Sequence, residues 1–332
     1  MESEGYKKIR NLIYEKLIEG GDNIFLEYNT LKISFKKFKY LQDKVKEIIK
    51  NHTDNFDPVL ILGDKSLESY VATIASVISM RHFIIIKESS NISKIIKKIK
   101  ESKSKVIFGD EDNLLILKNQ LVKNDFHNEL NFINLDRVIY KIEGKVDSRL
   151  IKENIEMIDI CYILYTSGST GMPKGVLINH ENLFSFLISI RKVFKNIRSQ
   201  RMSQLFDQSF DPSLFDLFFA LITNSTLCIP NKNDILLPFD YLSKRNISFL
   251  SCTPALISIL DNYGFLSEKV FPHIKNTILC GESLDTSLAN KWYLAAPNSD
   301  FYNAYGPTEA TIFVSIYKIK KSIFGSKMLS VP

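Results

Sequence analysis

The 332-residue chain is 45% hydrophobic and 24% charged, an ordinary globular composition with length for about two domains and a sizeable core. Its net charge of +6 comes largely from scattered lysines such as Lys94, Lys97, Lys98 and Lys100, which read as a solvated helix face and argue against a nucleic-acid surface. No apolar run approaches the roughly 20 residues that span a bilayer, and the N-terminal M-E-S-E-G-Y-K-K lacks a signal pattern, which argues against a membrane protein.

In chain order, Val59 to Leu62 is a short apolar run ending at Gly63-Asp64 and reads as a strand. A helical spacing follows, with Leu67, Val71, Ile74 and Ile78 on one face, then a second strand at Phe83 to Ile86. Asn91 suits the cap of a helix carrying Ile92, Ile95, Ile96 and Ile99, and Lys105 to Phe108 is a third strand. Strand and helix in alternation predict a parallel sheet with crossover helices. Residues 111 to 155 are polar and weakly periodic, with strands expected around Phe132 to Leu135 and Val138 to Ile142.

Alternation resumes with strands at Ile160 to Tyr165, Thr226 to Ile229, Ser248 to Cys252 and Thr277 to Cys280. Helices are expected at Leu214 to Leu221 and after Pro254, a residue suited to a first helical turn. The expected fold is α/β, with one subdomain over residues 1–155 and a second over 156–332. Cys161, Cys228, Cys252 and Cys280 are widely spaced in apolar contexts, without metal-ligand spacing; buried, reduced thiols in a cytoplasmic setting are the simplest reading.

The segment Tyr165 to Val176 reads Y-T-S-G-S-T-G-M-P-K-G-V. A triphosphate needs many donors around dense negative charge, and small residues let backbone N–H groups approach it. Gly168, Gly171 and Gly175, the hydroxyls of Thr166, Ser167, Ser169 and Thr170, and the cation of Lys174 supply that chemistry between two apolar strands. The G-x-x-x-x-G-K-[ST] loop cannot be fitted to it.

This run resembles the signature of the adenylate-forming (AMP-binding) superfamily, which includes acyl-CoA synthetases, luciferases and nonribosomal peptide synthetase adenylation domains. Further stretches fall in the family's order: His180-Glu181-Asn182-Leu183, Phe210-Asp211-Pro212-Ser213, Cys280-Gly281-Glu282, and Asn303-Ala304-Tyr305-Gly306-Pro307-Thr308-Glu309-Ala310-Thr311. The resemblance covers roughly residues 30 to 332, is degenerate at 79 to 87, and leans toward peptide synthetase domains and D-alanine carrier-protein ligases. It implies two tandem parallel-sheet subdomains with an incomplete β-barrel, and ATP with Mg²⁺ as cofactors.

The resemblance also implies roles. Thr166, Ser167, Thr170 and Lys174 hold the β- and γ-phosphates, with Gly168, Ser169 and Gly171 completing the cradle. Thr308 bonds the α-phosphate and Glu309 ligates Mg²⁺, so Lys174, Thr308 and Glu309 are the expected catalytic set. Tyr305 stacks on adenine, Asn303 and Ala304 read the base edge, Gly281 permits close approach on the other side of adenine, and Glu282 and Gly306 belong to the same nucleotide-binding set.

Asp211 decides the substrate class. In amino-acid-activating members an aspartate at this position pairs with the α-ammonium group, which discriminates against acids lacking an amine. Two alternatives stand beside that role: Asp211 caps the helix beginning near Ser213, or the neighbouring Phe206-Asp207-Gln208-Ser209 is the true register. Phe215, Ile278, Cys280, Ala304 and Ile312 are expected to line an apolar side-chain pocket. The acceptor implied is a carrier-protein phosphopantetheine thiol supplied in trans. A carboxylic or fatty acid:CoA ligase and a non-catalytic nucleotide-binding remnant are the competing readings.

Complete family members continue beyond the Y-G-P-T-E segment through the rest of the barrel, a ribose-binding aspartate and a small C-terminal domain with a lysine. This sequence ends at Val331-Pro332. The expectation is a chain weak or inactive alone, with an apolar edge at 312 to 317 left without barrel partners.

Overall fold

A computed structural model describes residues 4–54, 57–87, 89–126, 130–140, 159–167 and 173–320. Two helices and two strands open the chain: α1 (Glu4–Gly20), β1 (Ile24–Tyr28), β2 (Leu31–Ser34) and α2 (Phe35–His52). Alternation follows with β3 (Val59–Leu62), α3 (Leu67–Ser79), β4 (Phe83–Ile86), α4 (Ile92–Ser102), β5 (Val106–Gly109), α5 (Glu111–Lys123), β6 (Asn131–Asn134) and the single turn α6 (Asp136–Ile139). Then come β7 (Ile160–Ser167), β8 (Pro173–Asn179), α7 (His180–Val193), β9 (Arg201–Ser203), α8 (Pro212–Ile222) and β10 (Thr226–Ile229). The last stretch is α9 (Lys232–Leu236), α10 (Pro238–Lys244), β11 (Phe249–Cys252), α11 (Pro254–Asn262), β12 (Asn276–Leu279), α12 (Thr286–Ala295), β13 (Asp300–Tyr305) and β14 (Ser315–Lys318).

Two sheets result, six-stranded in the order β6-β5-β3-β4-β7-β8 and eight-stranded in the order β14-β13-β12-β11-β9-β10-β1-β2. The chain divides into two compact units, the first holding the described residues of Met1–Asp22, Ser34–Ile188 and Asp207–Ser209, the second those of Asn23–Ile33, Ser189–Phe206 and Phe210–Pro332. A linear division does not describe this, and the expected boundary at 155/156 lies outside the described residues. β7 extends the first sheet beside β4 (Phe83↔Tyr162), whereas β1 joins the second sheet beside β10 (Leu26↔Leu227).

Charge secures β1 there. Glu27, buried at 6% exposure, accepts from Arg201 Nη2 at 2.9 Å and Arg245 Nη1 at 3.1 Å. Burial works against the carboxylate, but the two guanidinium groups overcome it and hold Glu27 below the usual range.

In the first unit, Leu60, Ile84, Ile86 and Ile107 of the sheet pack on Ile95 and Ile99 of α4 and Leu114, Leu117 and Leu121 of α5. Each such side chain contributes about 1.5–3 kcal/mol on full burial. All thirteen residues of α3 are buried, so this helix has no solvent face. Asn91 caps α4 by accepting the Ser93 N–H at 2.9 Å, as its position predicts.

One local expectation is corrected. Val138 and Ile139 are helical, not extended: their N–H groups bond the Leu135 carbonyl at 3.0 Å, and Asn134 takes the Asp136 N–H at 2.8 Å, so the chain turns immediately after β6. Residues 141 and 142 lie outside the described residues. Among the described residues no closed barrel occurs, in keeping with the expected incomplete one; β14 pairs antiparallel with β13 (Ala304↔Ile316) and is the edge strand of its sheet. The reason is the sharp return of residues 306–313, which lays β14 back along the strand it follows.

Two histidines in the first unit give a pH prediction. His82 and His180 are buried, at 7% and 0% exposure, and desolvation lowers each imidazole to about 4. Their folded pKa values lie below the unfolded value near 6.5, so their contribution to stability is intact above about pH 6.5 and is lost as pH falls toward 4. Histidine NMR at pH 5.5, where a free imidazole is about nine-tenths protonated, is expected to show both rings neutral. Ordinary titration of all five histidines would contradict this.

Candidate active site

In the second unit, β12 and β13 run parallel (Ile278↔Tyr302, Leu279↔Asn303), so their C-terminal ends open at one edge of the sheet. Ligands of open α/β sheets gather at such edges. Cys280-Gly281-Glu282 leaves the first strand and Tyr305-Gly306 ends the second, while Phe210-Asp211 leads into α8. Together with Thr308, Ile312 and Phe313 they enclose a cavity of about 550 Å³. Gly281 lies at φ +90°, a conformation L side chains rarely adopt, which lets the chain turn sharply off β12.

Asp211 holds the decisive position. It stands at the N-terminus of α8, yet its side chain makes no capping bond, which removes the helix-cap alternative. The carboxyl is 5% exposed, faces the cavity, and leaves Oδ2 buried without a hydrogen-bond partner. Burial pushes it up to about 6, against the lowering effect of bonds from the Ile312 N–H and the Thr308 hydroxyl. Near neutral pH this is a desolvated carboxylate with one unsatisfied oxygen, a group that a cation in the cavity would satisfy.

The Ile312 N–H reaches Asp211 through a strained loop. Thr311 and Ile312 have φ values of 66° and 70°, in the left-handed region that β-branched residues avoid. The Phe313 N–H bonds the Thr311 carbonyl at 2.9 Å, closing a three-residue turn on Ile312. Strain of this kind costs about 1–3 kcal/mol per residue and collects at ligand sites. Sequence reasoning assigned Ile312 to the pocket wall and missed this backbone donor; consecutive left-handed β-branched residues leave no mark in composition.

Asp207, the aspartate of the alternative register, has its charge already used in the first unit. It pairs with Lys87, and its Oδ1 accepts from the Ser209 N–H at 2.8 Å and the Ser209 hydroxyl at 2.7 Å. Burial alone would raise Asp207, but Lys87 and Ser209 bring it below the ordinary carboxylate range.

Of the other expected residues, Gly281, Glu282, Asn303, Ala304, Tyr305, Gly306, Thr308, Cys280 and Ile312 line the cavity. Tyr305 presents its ring at 68% exposure. Glu282 also has a structural task, accepting the Ala255 N–H at 3.1 Å at the start of α11. Phe215 and Ile278 do not line it: both are 0% exposed, and Phe215 backs the wall edge-on to Phe313 at 5.2 Å. Phe313, which sequence reading passed over, takes the facing position. Glu309 is exposed on a 3₁₀ turn outside the lining. The four cysteines are buried and free, and burial raises the Cys280 thiol, keeping that wall neutral.

In the first unit, β7 and β8 form an antiparallel pair in which Thr166 stands opposite Lys174, with Lys174 exposed. Ser167 is the last residue of β7, and Gly168, Ser169, Thr170 and Gly171 lie outside the described residues. Asn179 caps α7, accepting the Asn182 N–H at 2.7 Å.

The model of one protein family, the AMP-binding enzymes, matches residues 21–328. The chain belongs to the AMP-binding enzyme family. Similar proteins include the D-alanine--D-alanyl carrier protein ligase of Lactococcus lactis, 28% identical over 322 residues, which are 95% of this chain and 62% of that protein. The corresponding ligase of Bacillus velezensis is 30% identical over 290 residues, covering 85% of this chain and 55% of the ligase. The chain thus spans less than two thirds of these relatives' lengths. Among solved structures, the Vibrio cholerae adenylation domain AlmE, in complex with glycyl-adenosine-5'-phosphate, shares the fold with a TM-score of 0.81 at 21% identity, covering 100% of this chain and 64% of that one. Among its described residues this family member has no helix long and apolar enough to cross a membrane.

Proposed function

We propose that this AMP-binding enzyme activates the carboxylate of a small amino acid as its acyl-adenylate, and that the activated acyl group passes to a carrier-protein thiol. The observation that carries this is Asp211: a desolvated carboxylate with an unpartnered oxygen, facing a cavity formed by the motif residues of both strand ends. An α-ammonium group supplies the missing charge. A plain carboxylic acid in the same cavity would leave Asp211 buried and unmatched, which costs several kcal/mol.

The substrate carboxylate oxygen attacks the α-phosphorus of ATP, the bond to pyrophosphate breaks, and aminoacyl-AMP forms. A thiolate then attacks the acyl carbon and AMP leaves. Tyr305 offers an exposed ring for the adenine to stack on, with Asn303, Ala304 and Gly281 around the base. Thr308 serves the α-phosphate, and Thr166, Ser167, Gly168, Ser169, Thr170, Gly171 and Lys174 serve the departing phosphates.

Among the described residues no group of three or more His, Cys, Asp or Glu side chains could hold a metal. Mg²⁺ retains waters and phosphate oxygens and needs only one or two carboxylates. Glu309, exposed beside Thr308, is the proposed protein ligand. Such an ion would neutralise charge on the phosphates. Cys280, Ala304, Ile312 and Phe313 give the side-chain end an apolar wall, which favours glycine or alanine over charged amino acids.

ATP–pyrophosphate exchange with glycine, both alanine enantiomers, larger amino acids and propionate tests this reading. Exchange is expected with a small amino acid and not with propionate. Equal exchange with alanine and propionate would overturn the amine assignment, and robust exchange would overturn the expectation that this chain is weak or inactive alone.

A further inference from the structure

The cavity of the second unit has an electrostatic imbalance. Its lining carries two carboxylates, Asp211 and Glu282, and, among the described residues, no Lys, Arg or His side chain. Glu309, one residue beyond Thr308, adds further negative potential at Asp211. Glu282 is engaged by the Ala255 N–H, so Asp211 is the carboxylate with an unanswered oxygen. Thr308, the hydroxyl assigned to the α-phosphate, bonds the Asp211 carboxyl instead. The Ile312 N–H, aimed by the left-handed Thr311–Ile312 pair, ties the same carboxyl down.

We propose that Asp211 couples the two ligands of the cavity: while no amine is bound it retains the Thr308 hydroxyl and repels phosphate, and an incoming ammonium group relieves both restraints. The inference rests on the aminoacyl-adenylate reading above and concerns how occupancy at one end controls affinity at the other. An ammonium ion beside Asp211 cancels the local negative charge where a phosphate must enter. It also competes for the carboxylate oxygens, so the Thr308 hydroxyl can turn to the nucleotide at little cost. Reciprocity requires that bound nucleotide raise amino-acid affinity by the same factor. The effect is a site that takes nucleotide poorly until its amino acid is present.

The consequence is counterintuitive: removing a binding-site carboxylate is expected to tighten nucleotide binding. Calorimetric titration with AMP alone, no amino acid present, tests it on the full chain. Asp211→Asn removes the charge, and Asp211→Ala removes the charge and the hold on Thr308. Both are expected to bind AMP more tightly than the native chain, the Ala variant by about tenfold. In a Thr308→Val background the advantage of Ala over Asn is expected to disappear, because no hydroxyl remains to be released. Thermal melts of each variant confirm that the compared proteins are folded. AMP affinity in native protein equal to or above that of both Asp211 variants would overturn the coupling while leaving the adenylate reading intact. Failure of native and variant proteins alike to bind AMP would overturn both.

Discussion

Asp211→Asn is expected to make the protein more stable and at the same time to abolish recognition of its amino acid. The native carboxyl rises from 3.8 to about 6 because burial penalises its charge. A shift of about two units corresponds to roughly 3 kcal/mol. The sign follows from linkage: the folded state binds this proton more tightly than the unfolded chain, so the penalty is full above about pH 6 and fades as pH falls toward 4. Asparagine keeps the shape and removes the charge. Urea denaturation at pH 7.5 is therefore expected to show a gain of up to about 3 kcal/mol, shrinking to about 1 kcal/mol at pH 4.5. Amine binding moves oppositely, because truncating one partner of a buried charge pair costs about 2–5 kcal/mol. Calorimetry with a non-hydrolysable alanyl-adenylate analogue is expected to show at least a hundredfold loss. A variant less stable than native at pH 7.5, or one that binds the analogue undiminished, would contradict the assignment.

The second large effect is expected at Gly306. A Cβ there would sit 2.2 Å from the Ile312 carbonyl oxygen and 2.7 Å from the Phe313 Cα. Both neighbours are backbone, so no side-chain rotation relieves the clash. The loop is fixed at its far end too, where the Val314 N–H bonds the Tyr305 carbonyl at 2.9 Å. Gly306→Ala must displace the turn that carries Thr308 and aims the Ile312 N–H at Asp211. A cost of about 3 kcal/mol or more is expected, the upper end for forced overpacking, together with loss of adenylate-analogue binding. Gly281→Ala is the control. Its φ of +90° strains any L residue, but the nearest atom to the added Cβ is a Thr253 methyl at 3.7 Å. Conformational strain alone costs about 1–2 kcal/mol, so this substitution is expected to be the milder by melting temperature. Equal effects at the two glycines would mean that the close approach at Gly306 does not govern the loop.

These two positions also mark the limit of what could be read without coordinates. Gly306 stands in a recognisable nonapeptide, but the reason no other residue fits there is a carbonyl six positions away. Asp211 and Asp207 occupy near-identical tetrapeptides, Phe210-Asp211-Pro212-Ser213 and Phe206-Asp207-Gln208-Ser209. Only the placement of Lys87 against Asp207 shows which charge is already used and which is unanswered. Phe215 and Phe313 are equally apolar, and packing alone puts one behind the wall and the other on it.

What the residues determined by themselves was local. Short apolar runs marked Val59–Leu62, which ends at Gly63-Asp64, and Phe83–Ile86, set between charged residues, at their observed limits, and capping chemistry marked the start of α4. The glycine, hydroxyl and lysine content of Thr166 to Lys174 pointed to phosphate before any fold was known. Periodicity and capping depend on residues within one or two turns, so they survive in one dimension. Tertiary structure alone decided that β1 crosses to the second sheet, where Arg201 and Arg245 answer Glu27, and that β14 returns along β13. It also decided that the Asp211 Oδ2 is left buried without a hydrogen-bond partner. Strand partnership and desolvation are set by groups distant in sequence, and no local pattern encodes them.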